Sequence, residues 1–298
     1  MKKFIAAILC AVLAAGTLAG CGTATASGVS KTASSQSLSG SVNVSGSSAL
    51  QPLVKAAADK FKVSNSGVSI TVNAGGSGTG LQNVSDKTVD IGDSDVFAQE
   101  KLTADKASAL VDHIVCVVGV AAVVNPQVGV TNVTKQQLID IFTGKITNWK
   151  DVGGKDQKIV IINRPASSGT RALFKAYALD GKSESTGQAL TEDNSGTLKQ
   201  NVAQTAGSIA YLAFSYINDD TVKALSIDSV KPTYDNVYSG KYPVWGYEHM
   251  YTNGEPSGAV KAFLKYFSTS ECESIIKSTG YGLSGKMTVK RDALASSK

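Results

Sequence analysis

Four short segments of this chain gather residues able to hold an anion. They are Ser45-Gly46-Ser47-Ser48-Ala49, Gly75-Gly76-Ser77-Gly78-Thr79-Gly80, Gly92-Asp93-Ser94-Asp95 and Arg164-Pro165-Ala166-Ser167-Ser168-Gly169-Thr170-Arg171. Glycine lets a backbone approach a ligand closely. The N–H groups that open a helix lack intrahelical partners and favour negative charge. Ser and Thr hydroxyls add donors, and arginine adds a bidentate charged fork. One such loop is ordinarily a helix cap. Four in one chain, one of them carrying Arg164, point to capture of an oxyanion.

Covalent chemistry finds less support. Gly181-Lys182-Ser183 ends like a nucleotide-binding loop, but Ala176 stands where its first glycine belongs. Gly76-Ser77-Gly78-Thr79-Gly80 lacks the dinucleotide spacing, and no Gly-x-Ser-x-Gly surrounds Ser48, Ser77 or Ser168. His113 and His249 are the only histidines and show no metal-ligand spacing, so neither a His-dependent triad nor a zinc site is expected. No catalytic residue, metal or cofactor is assigned.

The loops need elements to position them, and the chain alternates. Val42 to Val44 reads as a strand, followed by a helix with Leu50, Leu53, Val54, Ala57, Ala58 and Phe61 on one face. Strands are expected at Val68–Val72 and Val89–Gly92, with a short helix between. Ile114 to Val124 is continuously apolar and β-branched, which suits a strand buried on both faces. A helix from near Thr134, a strand over Lys158–Ile162 and a helix over Ser168–Leu179 follow. Further strands are expected at Ser208–Phe214 and Val222–Val230. A long helix closes the series over Pro256–Lys277, with Pro256 in its first turn. This is an α/β pattern with mixed sheets flanked by helices.

The N-terminus carries a different message. Lys2 and Lys3 precede an apolar stretch, Phe4 to Leu18, too short to span a membrane. It ends in Leu18-Ala19-Gly20-Cys21, which resembles the bacterial lipobox and implies cleavage before Cys21 and lipidation of its thiol. Cleavage as an ordinary secretory peptide near Ala24 or Ala26 is the alternative. The Ser-, Thr- and Gly-rich segment that follows reads as a flexible tether. Losing Lys2 and Lys3 lowers the formal charge from +5 to +3. No block of basic residues or Lys–aromatic interleaving calls for nucleic acid. Cys116 and Cys272 are expected as buried, unpaired thiols.

The four loops, in this order, resemble those of phosphate-binding proteins of ABC-type phosphate transporters. So does Ile141-Phe142-Thr143-Gly144-Lys145-Ile146-Thr147-Asn148-Trp149-Lys150-Asp151-Val152-Gly153-Gly154. The resemblance implies a two-lobed type II periplasmic-binding-protein fold with two hinge crossovers. Residues 1–20 would be the signal peptide and 21–37 the lipidated tether. Residues 38–114 plus 246–298 would form lobe 1, and 115–245 lobe 2. It implies Ser48 and Ser77 as hydroxyl donors, Ala49 as a backbone donor and Asp95 as an acceptor carboxylate. Arg164, Ser168, Gly169 and Thr170 would close from the second lobe. Asp93 departs from the family pattern; it either faces solvent or tunes the Asp95 region, the former being favoured. Arg171 is expected to orient Asp95 or to bridge the lobes rather than touch ligand.

Asp95 narrows the ligand. A carboxylate repels an anion unless the ligand keeps a proton to donate. Phosphate near neutral pH retains a P–OH, whereas sulfate does not. The mismatch costs on the order of a few kcal/mol, roughly a hundredfold in affinity. The alternative for Asp95 is a helix cap, and for Arg164 a salt bridge. The expectation is therefore a monomeric, lipid-anchored, extracytoplasmic receptor that binds inorganic phosphate and delivers it to an ABC-type permease. A receptor for sulfate, molybdate or tungstate, a secreted phosphate-ester hydrolase, and a surface sensor or adhesin are the rival readings.

Overall fold

The computed structural model describes residues 37–185 and 190–294. The leader, the tether and Cys21 lie outside the described residues. The first half alternates strand and helix: β1 (Ser39–Gly46), α1 (Gln51–Ser64), β2 (Gly67–Ala74), α2 (Ser77–Ser85), β3 (Ile91–Ser94), α3 (Ala104–Ser108) and the 15-residue β4 (Leu110–Val124). The middle holds β5 (Asn132–Val133), α4 (Lys135–Phe142), β6 (Val160–Asn163), α5 (Gly169–Tyr177), β7 (Leu190–Thr191), α6 (Ser195–Gln204), β8 (Ser208–Ala213), β9 (Lys223–Ala224), β10 (Ser226–Ile227) and α7 (Tyr234–Tyr238). The chain then returns through β11 (Trp245–Asn253) and ends with α8 (Gly258–Tyr266) and α9 (Ser270–Ser278).

Nine strands form one mixed sheet in the order β2-β1-β3-β11-β4-β8-β6-β7, with β9 also on β4, and β5 and β10 pair in parallel as a separate two-stranded sheet. Strand β1 runs parallel to β2 and β3, and β6 runs parallel to β7 and β8. Strand β11 is antiparallel to β3 and β4. The first part of β4, Leu110 to Gly119, pairs with β11; its last five residues, Val120 to Val124, pair with β8. Its continuous apolar sequence follows from burial, because every residue from Val115 to Val124 is buried. Two separate cores flank this junction. One packs Val42, Val44, Leu53, Phe61, Met250 and Phe263; the other packs Val120, Phe142, Trp149, Phe174, Tyr211 and Tyr242.

Three expectations differ from the structure. Val222–Val230 is not one strand: β9 and β10 are two residues each, and Asp228 and Ser229 adopt positive φ in the turn that follows. The long C-terminal helix is two. Its apolar spacing continues through Phe267, but Thr269 caps a new helix by accepting from the Cys272 N–H at 3.2 Å. Pro256 precedes the Ser257 cap rather than sitting in the first turn. Cys116 and Cys272 are buried and unpaired, as expected.

Candidate anion-binding site

The first loop leaves β1 at Gly46, whose φ of +148° and whose position against Asp93 O leave no room for a side chain. The chain turns and places Ser48 at 2% exposure. Arg164 follows β6 and is 1% exposed. Its Nη2 donates to Ser48 Oγ at 3.1 Å and to Asp193 O at 2.5 Å, and its Nη1 donates to Ser195 Oγ at 3.1 Å. The Ser48 and Ser195 hydroxyls are 2.9 Å apart. Arg164 Nε is buried without a partner. Burial lowers the guanidinium pKa, as expected of a cation removed from water. No carboxylate forms a salt bridge with it among the described residues, so the salt-bridge alternative for Arg164 is not what the structure holds.

A second cluster lies beside the first. Asp95, just past β3, accepts from Ser77 Oγ at 3.3 Å on Oδ1 and from Thr170 Oγ1 at 2.6 Å on Oδ2. Its own N–H donates to Ser77 Oγ at 3.0 Å. Ser77 and Thr170 stand in the first turns of α2 and α5, so Asp95 joins two helix starts rather than capping a helix. Gly169 permits that approach: a Cβ there would lie 2.2 Å from Ser77 Oγ. Ser168 caps α5 by accepting from the Arg171 N–H at 3.2 Å. The Gly169 and Thr170 N–H groups open this helix and so are among its unpaired donors.

Thus Ser48 meets Arg164, while Ser77 and Thr170 meet Asp95; Ser168 and Gly169 sit at the same helix start as Thr170. The Ala49 N–H donates to Ser47 Oγ at 3.0 Å. Arg171 does not touch Asp95. It pairs with buried Glu184 at 2.9 Å and donates to Arg164 O at 2.7 Å, fixing the loop that carries Arg164. Tyr211 donates to the same Glu184 at 3.0 Å.

Asp93 corrects the solvent-facing expectation. It is 1% exposed, and its Oδ1 has no hydrogen-bond partner. It neighbours Asp95 on one face of β3, because side chains two apart share a face. Burial first, then the Asp95 charge, pushes its pKa well up. Glu248 of β11, not singled out in the sequence, is fully buried close by.

Sequence reasoning also missed Ser195 and Asp193. The signal was present: Asn194-Ser195-Gly196-Thr197 repeats the design of the other loops. Asn194 caps α6 by accepting from the Gly196 and Thr197 N–H groups at 2.8 and 3.2 Å. The two histidines lie elsewhere: His249 Nδ1 is 2.9 Å from Asp112, and His113 Nε2 is 3.1 Å from Thr252.

Comparison with known proteins agrees with this architecture. Residues 31–271 match the PBP superfamily domain. The phosphate-binding protein PstS of Bacillus subtilis (strain 168) is 57% identical over 256 residues, which cover 86% of this chain and 84% of that protein. Among solved structures, a putative phosphate ABC transporter substrate-binding protein from Clostridium perfringens, with bound phosphate, aligns with a TM-score of 0.75 and 30% identity. That alignment covers 82% of this chain and 99% of the other. An ABC-type phosphate transport receptor from Vibrio cholerae aligns at 0.65 and 28% identity, covering 81% and 99%. Sequence, fold and the order of the loops therefore converge: this chain belongs to the PstS family of phosphate-binding proteins, the substrate-binding components of ABC phosphate transporters, within the PBP superfamily.

Proposed function

We propose that the chain captures inorganic phosphate outside the cytoplasmic membrane and delivers it to an ABC-type permease, without covalent chemistry. One observation carries the reading: a buried arginine ringed by hydroxyls stands beside a buried carboxylate. Arg164, Ser48, Ser77, Ser168 and Thr170 and the N–H groups of Gly169 and Thr170 supply positive charge and donors. Asp95 supplies the acceptor that a singly or doubly ionised phosphate satisfies with its P–OH. The Ala49 N–H joins them by exchanging its Ser47 partner for the ligand. Residues 38–114 with 246–298 and residues 115–245 are the two lobes that close on the anion in hinge fashion. Cys21 carries the lipid that holds this monomeric receptor at the membrane. A hydrolase with a serine nucleophile is the weaker reading, because no histidine is free to act as its base: both are engaged elsewhere, and the one carboxylate beside Ser77 also accepts from Thr170.

Asp95→Asn tests the assignment. The amide presents an N–H as well as a carbonyl, so phosphate loses its fixed acceptor while sulfate loses a repulsive neighbour. Competition titration is expected to show the preference for phosphate over sulfate falling by roughly a hundredfold. An unchanged preference would mean that the carboxylate does not read the ligand proton.

A further inference from the structure

Glu248 is fully buried, yet neither of its carboxyl oxygens has a hydrogen-bond donor in reach. Its place follows from register. His249 of β11 pairs with Ser94 of β3 in antiparallel fashion, so Glu248 comes opposite Asp95, and directly opposed side chains share a face. That register sets the Glu248 side chain next to the Asp95 carboxyl, which is among the causes of its raised pKa. From β3 it also faces Asp93, and from β4 Cys116, its paired neighbour. Tyr281, Tyr216 and Tyr234 approach from the segment after α9, the turn after β8 and α7. Neither Glu248 nor Asp93 enters any ion pair among the described residues.

Two adjacent buried carboxyls cannot both hold a charge cheaply, and such a pair shares one proton. Asp95 has the better claim to the charge, since Ser77 and Thr170 donate to it and Arg164 lies near. Glu248 has no donor. Building on the phosphate reading of this site, we propose that Glu248 is a neutral acid whose O–H donates to the Asp95 carboxylate and positions it to read the ligand proton. An ionised carboxylate offers about four lone-pair sites. Ser77, Thr170 and Glu248 occupy three of them, which leaves one for a P–OH. Glu248 thereby orients the acceptor and keeps a second negative charge out of the anion site. The raised Glu248 pKa, caused by burial first and then by Asp95 and Asp93, agrees with this state.

Glu248→Gln retains a donor toward Asp95, and Glu248→Ala removes it. Calorimetric titration with phosphate should leave the Gln variant within about threefold of the unmodified protein and weaken the Ala variant by about tenfold or more. Infrared spectra of the unmodified protein near pH 8 should contain a protonated-carboxyl C=O band that the Gln variant lacks. Phosphate affinity in the Ala variant equal to that of the unmodified protein, or no band lost in the Gln variant, would overturn the role of Glu248. Should the Ala variant fail to fold, the band comparison decides alone. Failure of the unmodified protein to bind phosphate would overturn the phosphate reading itself, a result distinct from either of these.

Discussion

At the residue scale, the site is built from buried polar groups that would be costly in isolation. Arg164 is tolerated because Ser48, Ser195 and the Asp193 carbonyl receive its donors, and Asp95 because Ser77 and Thr170 donate to it. Asp93 and Glu248 lack such support, and burial raises both of their pKa values. The sign for stability follows. An acid kept neutral in the fold holds a proton that the unfolded chain releases above about pH 4. Its contribution is fully present below that range and is lost as pH rises toward the folded pKa. Denaturant unfolding of the ligand-free protein is therefore expected to show stability declining from about pH 5 to pH 8. The Asp93→Asn/Glu248→Gln double variant should decline less and be more stable at pH 8 by on the order of 1–3 kcal/mol. Parallel pH profiles for the two proteins would mean that these carboxyls are not neutral in the fold.

At the element scale, the proposed site lies where helix starts meet. The first turns of α2 and α5 are tied by Gly78 N–H donating to Ser167 O at 2.9 Å and by the shared Asp95. Gly169 is where they touch. Gly169→Ala puts a methyl 2.2 Å from Ser77 Oγ and 2.9 Å from Asp95 Cβ, so α5 must back away. Phosphate affinity is expected to fall by at least about tenfold, through geometry alone. Wild-type affinity in this variant would show that the contact is not needed for binding. Most elements were legible because their periodicity reports burial, as with α1, whose five buried residues all lie on the expected face. The capping box of Thr134 and Gln137 likewise marks the start of α4. Helix α6 was not legible, since Ser195–Gln204 buries only Leu198 and Val202 among its apolar residues. The break between α8 and α9 was hidden because Phe267 continues the apolar spacing into the turn.

At the scale of the whole molecule, long-range contacts join the two cores at the site. Tyr216 OH donates to Ser48 O at 2.7 Å, Lys101 Nζ to Ala166 O at 2.8 Å, and Arg164 to Ser48. The loops that make these contacts are far apart in sequence, which explains what was legible and what was not. Loop composition marks each segment singly, and with the family resemblance it made Asp95, Arg164 and Thr170 candidates, along with their partners Ser48 and Ser77. Two other neighbours of these residues were not marked. Ser195 was passed over with its helix, and Glu248 looks in sequence like any exposed glutamate on an alternating strand. Only pairing of β11 with β3 puts it beneath Asp95.

The central claim is capture of an oxyanion that still carries a proton. The most direct measurement is calorimetric titration of unfolded-and-refolded, anion-free protein with phosphate and with sulfate near neutral pH. One phosphate per chain is expected, bound at least about a hundredfold more tightly than sulfate. Equal affinities, or a preference for sulfate, would contradict the account.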